Sequence, residues 1–181
     1  MPDIIFDSTA VHAALDRMAE EMVALAIRKT GEKNRDATVC LIGIERGGAR
    51  VADAIQMRLE AAGQTLERGN LDISFYRDDL DTIGANPEVR PSNLPFDIGG
   101  RNIWLVDDVL YTGRTIRAAL GELFDYGRPA TIHLAVLLDR GGRELPIAAD
   151  VTGLNHVADT GCSVKLLCQD DWHIEQRRVK P

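Results

Sequence analysis

The chain has 181 residues, of which 45% are hydrophobic and 27% charged, as is ordinary for a soluble globular protein. Its 21 basic and 28 acidic side chains leave a net charge of −7, which gives no overall attraction to nucleic acid or to an anionic membrane. Three cysteines without a C-x-x-C pair argue against a disulfide framework or a zinc site, and no segment resembles a signal peptide or a membrane span. We therefore expect one domain, residues 1–181, in the cytoplasm and without a membrane partner.

Apolar residues at helical spacing predict an amphipathic first helix that begins near Ser8 and ends at Gly31. A continuous apolar run at 37–44 predicts a strand covered on both faces, and a second helix follows at about 48–62. The alternation of apolar and polar side chains at 70–79 predicts a strand near the edge of a sheet.

A stretch rich in proline and glycine, at about 78–100, interrupts this regularity. A loop of this length in a compact domain is typically functional or disordered, and we interpret it as a flexible lid. Strands at 102–107, 131–138 and 162–168, with a helix at 113–126, complete the pattern. The alternation of strands and helices predicts an α/β fold in which helices flank a mainly parallel central sheet.

The sequence IWLVDDVLYTGRT, at 103–115, begins as a buried strand and ends as a polar turn that enters a helix. Ligands of open α/β sheets bind at the carboxyl ends of the strands. The free backbone N–H groups of such a turn, with the hydroxyls of Thr112 and Thr115, form a candidate phosphate cradle that is not a Walker loop. Asp107 and Asp108 then suit the hydroxyls of a ribose whose 5′-phosphate occupies the turn. The alternative is that the pair only caps a loop.

This motif resembles the phosphoribosyl pyrophosphate (PRPP) signature of type I phosphoribosyltransferases. DISFYRDDL at 72–80, YGRPATIHLAVLLDRGGRELPIAAD at 126–150 and the LIGIERGG stretch near the start are similar to the PyrR family, uracil phosphoribosyltransferases that also regulate pyrimidine operons. The resemblance extends to about residue 155 and leaves a divergent tail at 156–181. It implies a type I phosphoribosyltransferase-like fold with a small hood, Mg²⁺ as the cofactor, and a homo-oligomer.

The resemblance also implies roles for individual residues. Asp107 and Asp108 orient the ribose hydroxyls and lie near Mg²⁺ mostly through water, so that no direct protein ligand of the metal is assigned. Arg77 would close the lid over PRPP, with Arg90 as a second candidate, whereas the alternative for this stretch is a surface hairpin. The PRPP and 5′-phosphate site comprises Val109, Leu110, Tyr111, Thr112, Gly113, Arg114 and Thr115.

A second strand-to-helix turn follows the strand at 37–44 and can also present backbone N–H groups to an anion. By resemblance it is the pyrophosphate loop, and the family often has a non-proline cis peptide there. The alternative is an ordinary turn. The loop comprises Glu45, Arg46, Gly47 and Gly48.

Recognition of the base is assigned to Val109, Asp139 and Arg140. Val109 and Leu110 offer an apolar wall and Arg140 offers donors to the uracil carbonyl oxygens, while a structural role suits Asp139 equally well. Tyr111 occupies a position where some purine-using relatives have a carboxylate base, and this departure fits a pyrimidine. The implied reaction converts uracil and PRPP to UMP and pyrophosphate.

The resemblance implies a second activity, the binding of leader RNA. RNA affinity requires a basic surface, but the first helix sets Asp16, Glu20 and Glu21 against Arg17, and Arg143 is the main cation retained near the RELPI stretch. We therefore expect RNA attenuation to be weakened or lost. Two alternatives stay open: a UMP- or UTP-sensing RNA-binding regulator with little catalysis, and a purine phosphoribosyltransferase.

Overall fold

The computed structural model describes residues 2–30, 38–74, 92–169 and 171–179. The predicted lid as far as residue 91, with Arg77, Asp78, Asp79 and Arg90, lies outside these residues, so its role stays a prediction. The helices and strands are β1 (Asp3–Phe6), α1 (Ser8–Thr30), β2 (Val39–Ile44), α2 (Gly47–Ala61), β3 (Leu66–Leu71), β4 (Asn102–Leu110), α3 (Arg114–Tyr126), β5 (Thr131–Asp139), β6 (Val151–Asn155), β7 (Cys162–Leu167) and β8 (His173–Arg178).

The central sheet has five parallel strands in the order β3-β2-β4-β5-β6. Successive side chains of a strand point to opposite faces, so the apolar run of β4 at 103–106 contributes to two cores. Trp104 and Val106 pack under α1 and α2 on one face, while Ile103 and Leu105 pack under α3 on the other. This architecture confirms the predicted α/β fold, and it places β4 at the centre of the sheet.

A second sheet, which we call the hood, has three antiparallel strands in the order β1-β8-β7. The strand predicted at 162–168 is therefore present as β7, but it belongs to the hood and not to the parallel sheet. The hood is tied to the rest of the chain by Ile174, which is buried in the core under α1 and α2. The divergent tail thus forms most of the hood.

The strand predicted at 70–79 is wrong in its position, because β3 ends at Leu71. The Asp72 carboxylate accepts a hydrogen bond from the N–H of Ser74 at 2.8 Å, and the Asp72 N–H donates to the hydroxyl of Ser92 at 2.9 Å. These local bonds replace the hydrogen bonds between β3 and β2, so the pairing of the two strands ends after Leu71. Strands β1, β6 and β8 were not predicted.

None of the described helices is long and apolar enough to cross a bilayer.

Candidate active site

The register of the parallel strands brings three connecting segments to one edge of the sheet. Gly43 of β2 lies beside Val106 of β4, and Leu110 of β4 lies beside Asp139 of β5. The turn after β2, the turn after β4 and the segment after β5 therefore meet at the carboxyl ends of adjacent strands. This is the edge at which the sequence predicts a ligand.

The two carboxylates of β4 differ in their exposure. Asp107 is only 4% exposed, and its Oδ1 accepts a hydrogen bond from the N–H of Asp108 at 2.9 Å. Asp108 is half-buried, and its Oδ1 accepts from the N–H of Val109 at 3.0 Å. Burial raises the pKa of Asp107 well above its ordinary value, and the adjacent Asp108 carboxylate raises it further. Asp108 is therefore the carboxylate that a ligand meets, and Asp107 lies behind it.

The turn at 45–48, which we call the pyrophosphate turn, packs directly against these carboxylates. A side chain on Gly47 would overlap the Asp108 carboxylate, and a side chain on Gly48 would overlap the Val106 carbonyl and the backbone of Asp107. Only glycine permits so close an approach. The peptide bond between Glu45 and Arg46 is cis, as the resemblance implies.

The turn at 111–115, which we call the phosphate turn, is held from behind by its carbonyl groups. The Leu110 carbonyl accepts a hydrogen bond from the N–H of Arg140 at 3.1 Å, and the Arg143 guanidinium donates to the Tyr111 carbonyl at 2.7 Å. The Thr112 carbonyl accepts from the N–H groups of Glu144 and Leu145, both at 3.0 Å. In a trans peptide the C=O and the next N–H point in opposite directions. The N–H groups that follow these carbonyls therefore point away from the segment after β5, towards the open side of the turn.

The remaining residues of the phosphate turn lead into α3. Gly113 is buried and precedes the first residue of the helix. The Arg114 side chain forms an ion pair with Glu144 at 2.8 Å, and the Thr112 hydroxyl accepts a hydrogen bond from the Arg114 N–H at 3.3 Å. Thr115 is half-buried in the first turn of the helix. The predicted cradle is thus a strand-to-helix turn at the start of α3.

At the other side of the edge, Tyr111 is fixed by two residues of the segment after β5. The Arg140 guanidinium lies 4.0 Å from the centre of the Tyr111 ring, and it donates to the Cys162 carbonyl of the hood at 2.9 Å. A Cβ atom at Gly142 would lie 2.5 Å from Cε2 of Tyr111. Tyr111 therefore occupies the space that the glycine leaves, and 46% of its surface stays exposed.

The residues expected beside the base differ in their exposure and in their contacts. Leu110 is 1% exposed and packs in the core under α3, so it does not form the expected apolar wall. Val109 is half-buried and stays a candidate. The Asp139 carboxylate accepts from the Gly141 N–H at 2.9 Å through one oxygen and binds Arg143 through the other. Asp139 therefore shapes its own loop, in agreement with the structural alternative.

Sequence reasoning missed the contacts that join these segments. Arg143 was considered only as a surface cation, yet its guanidinium holds the phosphate turn. Arg50 of α2 donates to the Cys168 carbonyl, directly after β7, at 3.0 Å. With the bond from Arg140 to the Cys162 carbonyl, the hood is therefore bound to the helix after one turn and to the segment that holds the other. No local pattern marks such contacts, since each joins residues far apart in the chain. The two arginines of DRGGRELPI at 139–147 were the available signal.

A family model for the phosphoribosyl transferase domain matches residues 3–165, so the class of the protein is a phosphoribosyltransferase. The "Bifunctional protein PyrR" of Roseiflexus sp. is 51% identical over 156 residues, which cover 83% of this chain and 79% of the relative. The protein of the same name from Listeria monocytogenes is 44% identical over 176 residues, 95% of this chain and 92% of the relative. The chain therefore belongs to the PyrR family of phosphoribosyltransferases.

Solved structures support the fold independently. The hypoxanthine phosphoribosyltransferase of Trypanosoma cruzi superposes with a TM-score of 0.66 at 21% identity, covering 86% of this chain and 83% of that one. A hypoxanthine-guanine phosphoribosyltransferase of Bacillus anthracis gives a TM-score of 0.65 at 16% identity, covering 86% and 84%. At such low identity the likeness concerns the fold alone.

Proposed function

We propose that the protein is a uracil phosphoribosyltransferase, which converts uracil and PRPP to UMP and pyrophosphate. The observation that carries this proposal is the meeting of two strand-to-helix turns at one carboxylate, where Gly47 lies against Asp108. One turn fits the 5′-phosphate, the other fits the pyrophosphate, and the carboxylate between them fits the ribose hydroxyls. In PRPP the ribose likewise lies between the 5′-phosphate and the pyrophosphate.

The phosphate turn is suited to an anion because its backbone donors are oriented in advance. The N–H groups of Thr112 and Gly113 face away from the segment that holds the carbonyls, and the start of α3 adds the positive end of the helix dipole. Donors that are already in place cost little reorganisation when the ligand binds. This supports a 5′-phosphate site at 111–115.

The two carboxylates have different roles at the ribose. Asp108 accepts hydrogen bonds from the hydroxyls, and its negative charge stabilises the positive charge that develops at C1 as the pyrophosphate leaves. Asp107 fixes the backbone of Asp108 through the hydrogen bond from its N–H. Asp108 thus contacts the substrate, and Asp107 positions it.

The arrangement fits Mg²⁺ bound chiefly by the substrate. Among the described residues, no group of three His, Cys, Asp or Glu side chains is placed to hold a metal ion. Asp108 would hold the ion through water, with Asp107 behind it, while the oxygens of PRPP complete the oxygen shell that Mg²⁺ prefers. Bound there, the ion neutralises charge on the pyrophosphate.

The acceptor that the site favours is a pyrimidine. The position that holds a carboxylate base in purine-using relatives is Tyr111, whose ring is fixed between Arg140 and Gly142. The N1–H of uracil is acidic enough to react without a strong base, so the absence of a carboxylate at this position is no obstacle. Arg140 and the half-buried Val109 are the remaining candidates for contact with the base.

The test is a parallel assay of UMP, IMP and AMP formation from the corresponding bases with PRPP and Mg²⁺. We expect UMP from uracil at a rate far above either purine product. Faster formation of IMP or AMP would contradict the choice of acceptor, and the absence of all three products would contradict the proposed activity. The Asp107→Asn, Asp108→Asn double variant serves as the inactive control.

We further propose that binding of leader RNA is weakened or lost. The cations that the sequence offers for RNA are engaged within the protein: Arg17 donates to the Gly153 carbonyl at 2.9 Å, and Arg143 holds Asp139 and the Tyr111 carbonyl. The neighbours of Arg17 on α1 include the acidic Asp16 and Glu20, which oppose phosphate binding there. The relatives are named bifunctional, whereas this proposal gives the chain only one of two activities.

Filter binding to a cognate leader RNA, with UMP present and at physiological salt, tests the second proposal. We expect only weak binding that does not depend on sequence and that falls steeply with added salt. Submicromolar, sequence-specific binding would contradict it and would favour the regulator.

A further inference from the structure

Arg68 of β3 is a partly buried cation that lies beside the residues directly after the pyrophosphate turn. Its side chain is 14% exposed, and its Nη2 lies 2.9 Å from the Ala49 carbonyl and 2.9 Å from Oδ1 of Asp53, both on α2. Its Nη1 donates to the Gly69 carbonyl. One guanidinium thus joins an edge strand to the first turns of the helix that follows the pyrophosphate turn.

The edge strand therefore holds this turn at two points. The Leu71 carbonyl accepts a hydrogen bond from the N–H of Glu45 at 2.9 Å, where the turn begins, and Arg68 holds Ala49, directly after the turn ends. Any tilt of α2 away from β3 would move Gly47 and Gly48 relative to Asp108. Arg68 opposes this tilt with a charge-assisted bond and with an ion pair.

The charge of Arg68 matters as well as its hydrogen bonds. The turn contains a carboxylate, Glu45, which opposes the binding of a polyanion at the same place. Burial lowers the pKa of Arg68, while the carboxylates of Asp53 and Glu45 both act in the opposite direction, so Glu45 and Arg68 attract each other. A cation placed behind the turn offsets the carboxylate within it.

We propose that Arg68 is a positioning residue for the pyrophosphate turn, and that it sets the affinity of the site for the pyrophosphate group of the substrate. It acts through Ala49, Asp53 and the charge on Glu45, without touching the substrate. This inference rests on the proposed function, since it assumes that the turn at 45–48 binds pyrophosphate.

The chain provides a matched control in Arg58, which lies on α2, the helix that Arg68 contacts. Arg58 donates to the Ala54 carbonyl at 2.9 Å and forms an ion pair with Asp16 at 2.6 Å, so it makes the same two kinds of contact. It joins the end of α2 to α1, however, and not the start of α2 to β3. Arg68→Met and Arg58→Met therefore remove similar contacts at opposite ends of one helix.

The experiment measures kcat, the KM values for PRPP and uracil, calorimetric Kd values for magnesium pyrophosphate and for UMP, and Tm. We expect Arg68→Met to raise the KM for PRPP and the Kd for pyrophosphate about tenfold, the size expected for a lost charge-assisted bond. The KM for uracil and the Kd for UMP should change less than about twofold, because the phosphate turn keeps its own support. Arg58→Met should lower Tm and leave every KM and Kd unchanged.

Arg68→Lys keeps the charge and one donor, so it should recover most of the affinity for pyrophosphate. If Arg68→Met does not fold, Arg68→Lys and Asp53→Asn, which removes the ion pair alone, should still show a smaller, selective loss of that affinity. Equal rises in all KM and Kd values, or the same selective rise in Arg58→Met, would overturn the assignment of Arg68. Turnover by the wild-type protein would still support the proposed function in that case. A wild-type protein that binds pyrophosphate nowhere would overturn both.

Discussion

The two turns at the carboxyl edge have the same place in the fold but are supported in different ways. The phosphate turn is held by main-chain carbonyls that bind the segment after β5, so its donors are fixed by backbone geometry. The pyrophosphate turn has one main-chain bond to β3, at Glu45, and is otherwise held by the Arg68 side chain and by glycines that lie against the carboxylates of β4. The first is a preformed cradle, whereas the second depends on its neighbours for position. Variants should therefore affect the two halves of PRPP separately.

The largest effect is expected where the two turns meet. Asp107→Asn with Asp108→Asn should lower kcat by at least about a hundredfold, since it removes the charge that faces the developing cation. The free energy of unfolding should fall by no more than about 1–2 kcal/mol, because asparagine keeps the shape and the acceptor oxygen. Steady-state kinetics and urea unfolding measure the two quantities.

The exposed Asp16→Asn provides a control for this variant, because it also removes a carboxylate but lies on α1 at 61% side-chain exposure. It should leave kcat unchanged, and the loss of its ion pair with Arg58 should change the free energy of unfolding by less than about 1 kcal/mol. If activity and stability fall together in the double variant, the pair is structural.

The second effect concerns the support of the phosphate turn. Arg143→Met removes the donor to the Tyr111 carbonyl and should raise the KM for PRPP and the Kd for UMP about tenfold to thirtyfold. It also leaves the half-buried Asp139 without its partner, at a cost of about 1–3 kcal/mol in unfolding free energy. Calorimetry with UMP and thermal unfolding measure these changes.

The double variant Arg143→Met, Asp139→Asn separates the two roles of Arg143. It should recover much of the lost stability, because no carboxylate stays unpaired, while the affinity for UMP stays low. Recovery of both would show that Arg143 acts on stability alone.

The third effect concerns the base. Gly142→Ala places a Cβ against the Tyr111 ring and should raise the KM for uracil about fivefold, a cost of roughly 1 kcal/mol, with little change for PRPP. The matched control is Gly141→Ala, because Gly141 has a similar φ, +69° against +73°, but open space where the Cβ would stand. Both variants carry the same backbone strain, so only a difference between them reports on the ring. Equal KM values for uracil would remove Tyr111 from the base site.

The smallest effect is on stability against pH. The pKa of Asp107 is raised in the folded state by burial and by Asp108, so above about pH 4 this carboxyl binds more protons in the folded protein than in the unfolded chain. In a metal-free buffer without nucleotide, stability should therefore fall as pH rises from about 4, at up to about 1.4 kcal/mol per unit. Asp107→Asn should remove this slope. Parallel curves for the variant and the wild type would contradict the burial of a charge at this position.

The sequence predicted best those elements whose pattern depends on local periodicity. The helices were found to within a few residues, because each has one apolar face, and β4 was found because it is buried on both faces. The motif at 103–115 predicted the turn between β4 and α3 for the same reason, since strand, turn and helix follow directly in the chain, while its binding of phosphate stays a prediction. β3 was misplaced because Leu71 and Ile73 are both buried, although the strand ends between them.

What the sequence did not show depends on contacts between distant segments. β8 is polar, yet its Glu175 and Gln176 are buried because β1 and β7 flank the strand on both sides. The support of the phosphate turn by Arg143 and that of α2 by Arg68 are likewise tertiary, so composition suggests only surface charge. The glycines at 47 and 48 signal a turn, but their closeness to Asp107 and Asp108 appears only when β2 and β4 pair.

The hood has a consequence for biosynthesis. Its middle strand, β8, is translated long after β1, although the two are hydrogen-bonded neighbours. While the ribosome is still making the central sheet, β1 has no strand to pair with, and β7 cannot reach it without β8 between them. The nascent chain can thus assemble the strand-to-helix turn at 111–115 before the hood is complete. The hydrogen bonds of Arg50 and Arg140 to the hood should consequently be among the last to form.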